Sequence, residues 1–525
     1  MAPIDPLLIP RAYVSEYRIL GAKSLPRIDV EEAVYPYLGP ARTEEDLQAA
    51  CTALVASYKE KGYEVSVQAT GQIRRGVVTL QVTEVKLGRL RVKGSRFFLP
   101  NELKSEFPSL VEGQAVNYQD FQRDLAAAVQ RFPDRQIELE QREGSERGTL
   151  DIDLKVKDTF PLHGSIALNN RYSPDTTELR LDGSISYNNL WQRNHSVGFS
   201  FQVSPQDLDE VKVLSAFYTA RFRRMPWLEL TIQGIKNESN VSTLGGIAVA
   251  GRGDTLGARA TFRLPELTNY NHSVLLGIDY KTSSTRSVAG GLQLPGENLV
   301  PLEQELDITA GTIRYLPIIA TYQGSWITKQ FQTDLSGTLV GGIRGIGSEP
   351  RDFDERRFGA KENFYYFRGD LSHTHELPRG FQLFALVQGQ LSPVPLVDAE
   401  QFAIGGINTV RGYREAEELG DNALAGTLEL RSPSLLGWIP QKTMLNKDET
   451  WNEVRVFAFL DAGFATIRDP LPEQRSHFEL ASWGVGAEVR LLNFVSGAVI
   501  AGFPLIETED YKEDMLLSFR ASADF

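Results

Sequence analysis

At 525 residues the chain is too long for one ordinary domain, and 23% charged beside 42% hydrophobic residues would suit any folded globular protein. No run approaches the roughly 18 consecutive apolar residues of a spanning helix: the late uncharged stretch Phe494 to Ile506 is short and broken by glycines, which excludes a helical membrane protein but not a β-barrel. The net charge of −13 argues against a nucleic-acid binder, and the single cysteine, Cys51, rules out an internal disulfide framework and argues against structural zinc.

The N-terminus, Met1-Ala2-Pro3-Ile4-Asp5, has neither a basic region nor an apolar core of a signal peptide, so residues 1–12 read as a tail beginning near a mature end. Tyr13 to Leu20 reads as a strand, and Val30, Val34, Tyr37 and Leu38 follow at helical spacing. Thr43-Glu44-Glu45-Asp46 has the capping-box pattern and opens a helix with Leu47, Cys51, Leu54 and Tyr58 on one face, which places Cys51 as an inert core thiol. Gly62 ends that helix, and two strands follow, the second over Val78–Val82. The order then recurs: a strand over Leu87–Val92, a short helix over Leu99–Phe107, and a helix capped by Asn117 that carries Phe121, Leu125, Ala128 and Phe132. Strands at Gln136–Glu140 and Leu150–Lys157 close the unit. Two copies in β-α-α-β-β order, at 13–87 and 88–160, resemble tandem polypeptide-transport-associated (POTRA) domains; the detailed match is Lys61-Gly62-Tyr63 followed by Gln72 to Leu80. Where that family has Glu-Gly after the last strand, this chain has Glu84-Val85. Read from pattern alone, the region is equally a pair of generic small α/β domains.

From Leu162 the period becomes two and stays so. Val197, Phe199, Phe201 and Val203 alternate with Gly198, Ser200, Gln202 and Ser204; Val274, Leu276, Ile278 and Tyr280 alternate with Leu275, Gly277, Asp279 and Lys281. One such strand also suits a half-buried soluble sheet, but about 16 in succession suit a closed membrane barrel over 161–525, with lipid on the apolar face and water on the other. Long connections at Asn237–Asp254, Ser284–Gln304, Ile343–Asn363 and Ser392–Asp421 alternate with short ones such as Pro378-Arg379-Gly380 and Leu492-Asn493; Ser432 to Asn452 breaks that rule. The chain ends on Phe525 in the lipid-facing register.

On strand 13 the alternation turns Val454, Val456, Ala458 and Leu460 to lipid and Arg455, Phe457, Phe459, Asp461 and Gly463 to the lumen. The preceding long loop, 392–421, carries Gly405-Gly406 and then Val410-Arg411-Gly412-Tyr413, and is long enough to fold back into the pore. These stretches resemble the Val-Arg-Gly-Tyr tip and the Phe-x-Asp-x-Gly wall of outer-membrane protein-translocating barrels. The resemblance pairs Arg411 with Asp461 and adds Val410, Gly412, Tyr413, Phe459 and Gly463 to the functional set. Other candidates have plainer readings. His373 and His375 share one strand face without a further ligand; Gly341 to Gly347 lacks the lysine and helix of a phosphate loop; Asp352 to Arg357 reads as a solvated charge run; no nucleophile–base set stands out. No metal, cofactor or catalytic residue is therefore assigned.

Two POTRA modules, a 16-stranded barrel and the two motifs in this order resemble the two-partner-secretion transporters (TpsB, haemolysin secretion/activation type). That resemblance implies an outer-membrane protein of a Gram-negative-type bacterium, with periplasmic POTRA domains that recognise a secreted β-rich exoprotein, an adhesin or cytolysin, and pass it unfolded through the barrel without nucleotide. It implies no enzyme activity, outer-membrane lipids and the barrel-assembly machinery as further partners, no nucleic acid, and a monomer. The family's usual N-terminal plug helix has no counterpart in residues 1–12. A barrel insertase or an organellar import channel of the same superfamily, or a passive porin, remain the alternatives.

Overall fold

The computed structural model describes residues 12–525 except 132–133, 147, 175, 240, 243–248, 251, 266, 290–305, 439–452, 492–493 and 509–510. The tail 1–11, Phe132, the turn Leu492-Asn493 and most of the 432–452 connection therefore lie outside the described residues. The chain divides into two compact units, 1–161 and 162–525.

The first unit holds two three-stranded sheets. In the first, Glu16–Leu20 runs parallel to Val77–Glu84, which pairs antiparallel with Val65–Arg74. The expected strand from Tyr13 to Leu20 breaks at Ser15, where the N–H groups of Ser15 and Glu16 turn to the Gly76 carbonyl. Ala12–Val14 pairs instead with Gly39–Arg42, a strand whose Gly-Pro composition gives no strand signal. The helix Glu44–Glu60 opens with the capping box: the Thr43 N–H donates to the Asp46 carboxylate at 2.8 Å and the Asp46 N–H to the Thr43 hydroxyl. Leu54, Tyr58, Val78, Leu80 and Val82 form the core with Val14, Leu25, Val30 and Val34. Cys51 is only half-buried at its edge, and burial raises its thiol pKa.

Glu84 ends the last strand buried, accepting from the Lys23 and Ser24 N–H groups at 2.7 Å, the Ser24 hydroxyl at 2.8 Å and the Tyr58 hydroxyl at 3.0 Å. Burial alone would raise its carboxyl pKa; these bonds outweigh it and hold the group below the usual carboxylate range.

In the second sheet Lys86–Lys93 lies parallel to Thr149–Asp158, which pairs antiparallel with Arg135–Glu143. Its first strand starts at Lys86, so Leu87, placed by the sequence in the first module, belongs to the core of the second with Leu90, Phe107, Phe121 and Leu154. The helix expected over Leu99–Phe107 spans only Pro100–Lys104, and Phe107 beyond it is buried in the core. Asn117 caps the helix Tyr118–Arg131 through the N–H groups of Gln119 and Asp120. No helix among the described residues is long and apolar enough to cross a membrane.

The second unit is a closed barrel in which each ladder is antiparallel and the last strand, Leu516–Asp524, pairs with the first, Leu162–Asn169. Seventeen strand segments make 16 staves, because Leu306–Tyr315 and Pro317–Ile327 continue one another across Leu316 against the long Tyr270–Ala289. On Glu453–Thr466 the period-two expectation is met: Leu460 is 58% exposed and Asp461 3%, with Val456 and Phe464 outward and Phe457, Phe459 and Ala465 buried inward. The Phe525 ring lies across Gly164, and the two residues exchange backbone hydrogen bonds at 3.0 and 2.9 Å.

One connection begins later than expected. Tyr270–Ala289 continues as strand beyond Ser284, whereas the long 237–254 connection leaves Asn237 and returns at Gly253 as expected. The charge run 352–357 is no free solvated loop. Pro350–Arg356 is a short helix that buries Phe353, and Arg357 pairs with the Asp421 carboxylate. His373 and His375 stack 5.9 Å apart on Tyr365–Glu376, with His373 bonded to Thr333 at 2.7 Å; no group of three or more potential metal ligands occurs among the described residues.

Candidate functional site: the inward loop and the barrel wall

The loop between strands Gln382–Leu391 and Asn422–Arg431 folds back as a hairpin. Phe402–Ile404 pairs antiparallel with Glu418–Gly420 as its stalk, and 405–417 form its tip. Gly405, Gly406 and Gly412 all lie at φ near +96°, where a side chain is strained; at Gly406 a Cβ would also stand 2.3 Å from the Glu415 carboxylate.

Arg411 sits at the tip, buried, and meets the wall as a two-toothed pair: its Nε donates to Asp461 Oδ2 at 2.7 Å and its Nη2 to Oδ1 at 2.9 Å. The Arg411 backbone N–H adds a third bond to Oδ2 at 3.0 Å. Its remaining Nη1 donates to Glu429 on the neighbouring strand, a buried carboxylate that also takes Arg431 Nε at 2.6 Å. The guanidinium lies 3.6 Å from the centroid of the Phe459 ring, whose π face favours a cation. One arginine thus joins the loop to the strands Asn422–Arg431 and Glu453–Thr466 through two carboxylates and an aromatic face. Pattern reasoning could place Glu429 in the lumen but had no means of aligning it with Arg411.

The rest of the tip fits the wall by shape. A Cβ at Gly463 would stand 2.8 Å from Val410 Cγ2, and one at Gly502 would stand 2.6 Å from the Gly412 backbone. On the adjacent strand, Gly484 and Gly486 leave room for the Phe459 and Phe457 rings. Buried Tyr413 places its hydroxyl 2.6 Å from the Ile506 carbonyl and 2.9 Å from that of Ala481, and accepts the Ile506 N–H at 3.3 Å. All seven residues singled out in the sequence therefore stand in one place. Glu415, which was not singled out, takes Arg171 Nε, from the turn between Leu162–Asn169 and Arg180–Leu190, at 2.7 Å and the Ile407 N–H at 3.2 Å.

This arrangement has no nucleophile–base geometry. It is a clasp: a buried ion pair in a wall cut back with glycines, able to hold a plug within a pore. Its charges are satisfied in this position, and removing the Arg411 side chain leaves the buried Asp461 carboxylate without its cation, at about 3–5 kcal/mol.

Sequence comparisons agree with the architecture. Residues 302–489 match the family described as haemolysin secretion/activation protein ShlB/FhaC/HecB, and residues 13–84 match the POTRA domain of ShlB type. The chain is 23% identical over 517 residues to the outer membrane transporter CdiB of Escherichia coli, covering 94% of this chain and 79% of that protein. The Dickeya dadantii CdiB is 21% identical, covering 69% and 62%. Among solved structures, CdiB from Escherichia coli superposes with a TM-score of 0.66 at 20% identity over 98% of this chain and 91% of that one. BamA from Haemophilus ducreyi lacking POTRA domains 1–3 gives 0.54 at 12% identity, over 98% and 100%. At these identities the superpositions establish the fold.

Proposed function

For an outer-membrane transporter of the two-partner-secretion (TpsB) type, which this chain is, we propose a division of labour. The POTRA pair, periplasmic, captures a partner exoprotein; the barrel passes it unfolded; and the loop tip 405–417 is the gate. The observation that carries this reading is Arg411 clasped between Asp461 and Glu429 inside a closed barrel. A passive solute pore needs no such clasp. Neither β-strand pairing nor loop displacement consumes nucleotide, so binding and onward folding of the cargo supply the direction.

Capture proceeds by β-augmentation. Each small sheet ends on an edge strand, Val65–Arg74 in the first module and Arg135–Glu143 in the second, whose outward N–H and C=O groups an extended chain can satisfy. Buried Leu54 and Tyr58 support the helix beside the first edge. Main-chain pairing tolerates many sequences, which suits a cargo that must slide on. The protein works as a monomer, seated in lipid by the barrel-assembly machinery. The test is a proline on Arg135–Glu143, at a position whose N–H points away from Thr149–Asp158. It should abolish binding of the exoprotein's N-terminal domain with the fold retained; undiminished binding would refute augmentation at that edge.

A further inference from the structure

The loop is gripped at two levels, and Arg411 serves only one of them. At the root, Glu400 in the turn Asp398–Glu400 is fully buried and accepts three hydrogen bonds, each at 2.7 Å, from Lys281 Nζ, the Tyr315 hydroxyl and the Tyr366 hydroxyl. The donors come from three different staves, so the carboxylate is fastened across a wide arc of wall. Gln390 then bonds both legs of the loop at once, donating to the Glu400 carbonyl at 3.1 Å and the Asp421 carbonyl at 3.2 Å. On the returning leg, the buried Asp421 carboxylate pairs with Arg357 and takes the N–H groups of Leu396 at 2.9 Å and Arg468 at 2.7 Å. None of these groups is shared with Arg411 or Tyr413. Between root and tip stand Gly405 and Gly406, two residues free to exchange φ basins at little steric cost.

We propose that Glu400 is a positioning residue that keeps the loop root on the wall while transport moves only the tip, residues 405–417, about Gly405-Gly406. This rests on reading the tip as the gate. The pore would then open by swinging a short tip aside, with the stalk 402–404/418–420 staying in place as a fixed lip.

Two disulfide staples sharing one wall position separate the levels, in a Cys51→Ser background. Gly463→Cys with Ile404→Cys staples the root, since the Cβ positions stand 3.6 Å apart, within the range a disulfide spans. Gly463→Cys with Val410→Cys staples the tip, as Val410 Cγ2 lies 2.8 Å from the same Cβ position. Each is read for exoprotein secretion with and without reductant, which cancels the cost of a side chain at 463. The root staple should leave secretion within twofold of its reduced state, and the tip staple should lower it at least tenfold. A root staple that blocks secretion would show that the whole loop must leave, overturning the proposal. A tip staple that does not block would overturn the gate reading itself. Glu400→Gln should raise spontaneous pore opening in planar bilayers at least tenfold, and the root staple should reverse it; a variant that assembles less but opens no more often would assign Glu400 to packing alone.

Discussion

Arg411 and Asp461, 50 residues apart in the chain, meet through two side-chain bonds of 2.7 and 2.9 Å and a third from the Arg411 backbone N–H. The geometry is that of a planar fork on a carboxylate, which lysine cannot reproduce. Arg411→Ala should lower secretion at least tenfold while the barrel still assembles, as judged by its heat-modifiable mobility. Arg411→Lys should recover little of that loss. Normal secretion by Arg411→Ala would separate the clasp from transport.

A wall glycine makes a sterically independent prediction. Gly502→Val would drive a side chain into the Gly412 backbone. Overpacking of this kind costs about 1–3 kcal/mol, and here the tip is what can yield. The variant should therefore free the tip, with more frequent channel opening and an unchanged barrel. Wild-type conductance would show that the tip does not bear on the wall as described.

Much of this was legible beforehand because a barrel wall has a rigid period. Asp461 and Phe459 follow from alternation alone, and the glycines of the tip announce a tight return. What failed to show was whatever depended on distant strands meeting. Glu429 and Glu400 are ordinary lumen or loop carboxylates until Arg411 and Lys281 arrive beside them. Arg357 lay in a run of mixed charge that pattern reasoning assigns to solvent, yet it pairs with Asp421. The strand Gly39–Arg42 was missed since backbone pairing, not side-chain propensity, makes it.

The first POTRA module should depend on pH through Glu84. Its folded pKa is lowered by the bonds from Lys23, Ser24 and Tyr58 that overcome its burial. A depressed carboxyl stabilises the folded state fully above the unfolded value of about 4.3 and loses that contribution as pH falls through the folded value. Glu84→Gln should cost about 1–3 kcal/mol at pH 7. Hydrogen exchange at residues 21–24 of the full chain should reveal the difference, and it should shrink below about pH 4. A difference independent of pH would mean that the charge is not what Glu84 contributes.

Purified protein in liposomes, offered its partner exoprotein in unfolded form with no nucleotide present, puts transport itself to the test. Full-length protein should carry the exoprotein to a protease-protected compartment, and removing residues 12–160 should abolish this although the barrel still inserts. Protection that requires nucleotide, or a barrel without its POTRA pair that transports as well as the whole chain, would contradict capture by the POTRA modules followed by passage through the gated pore.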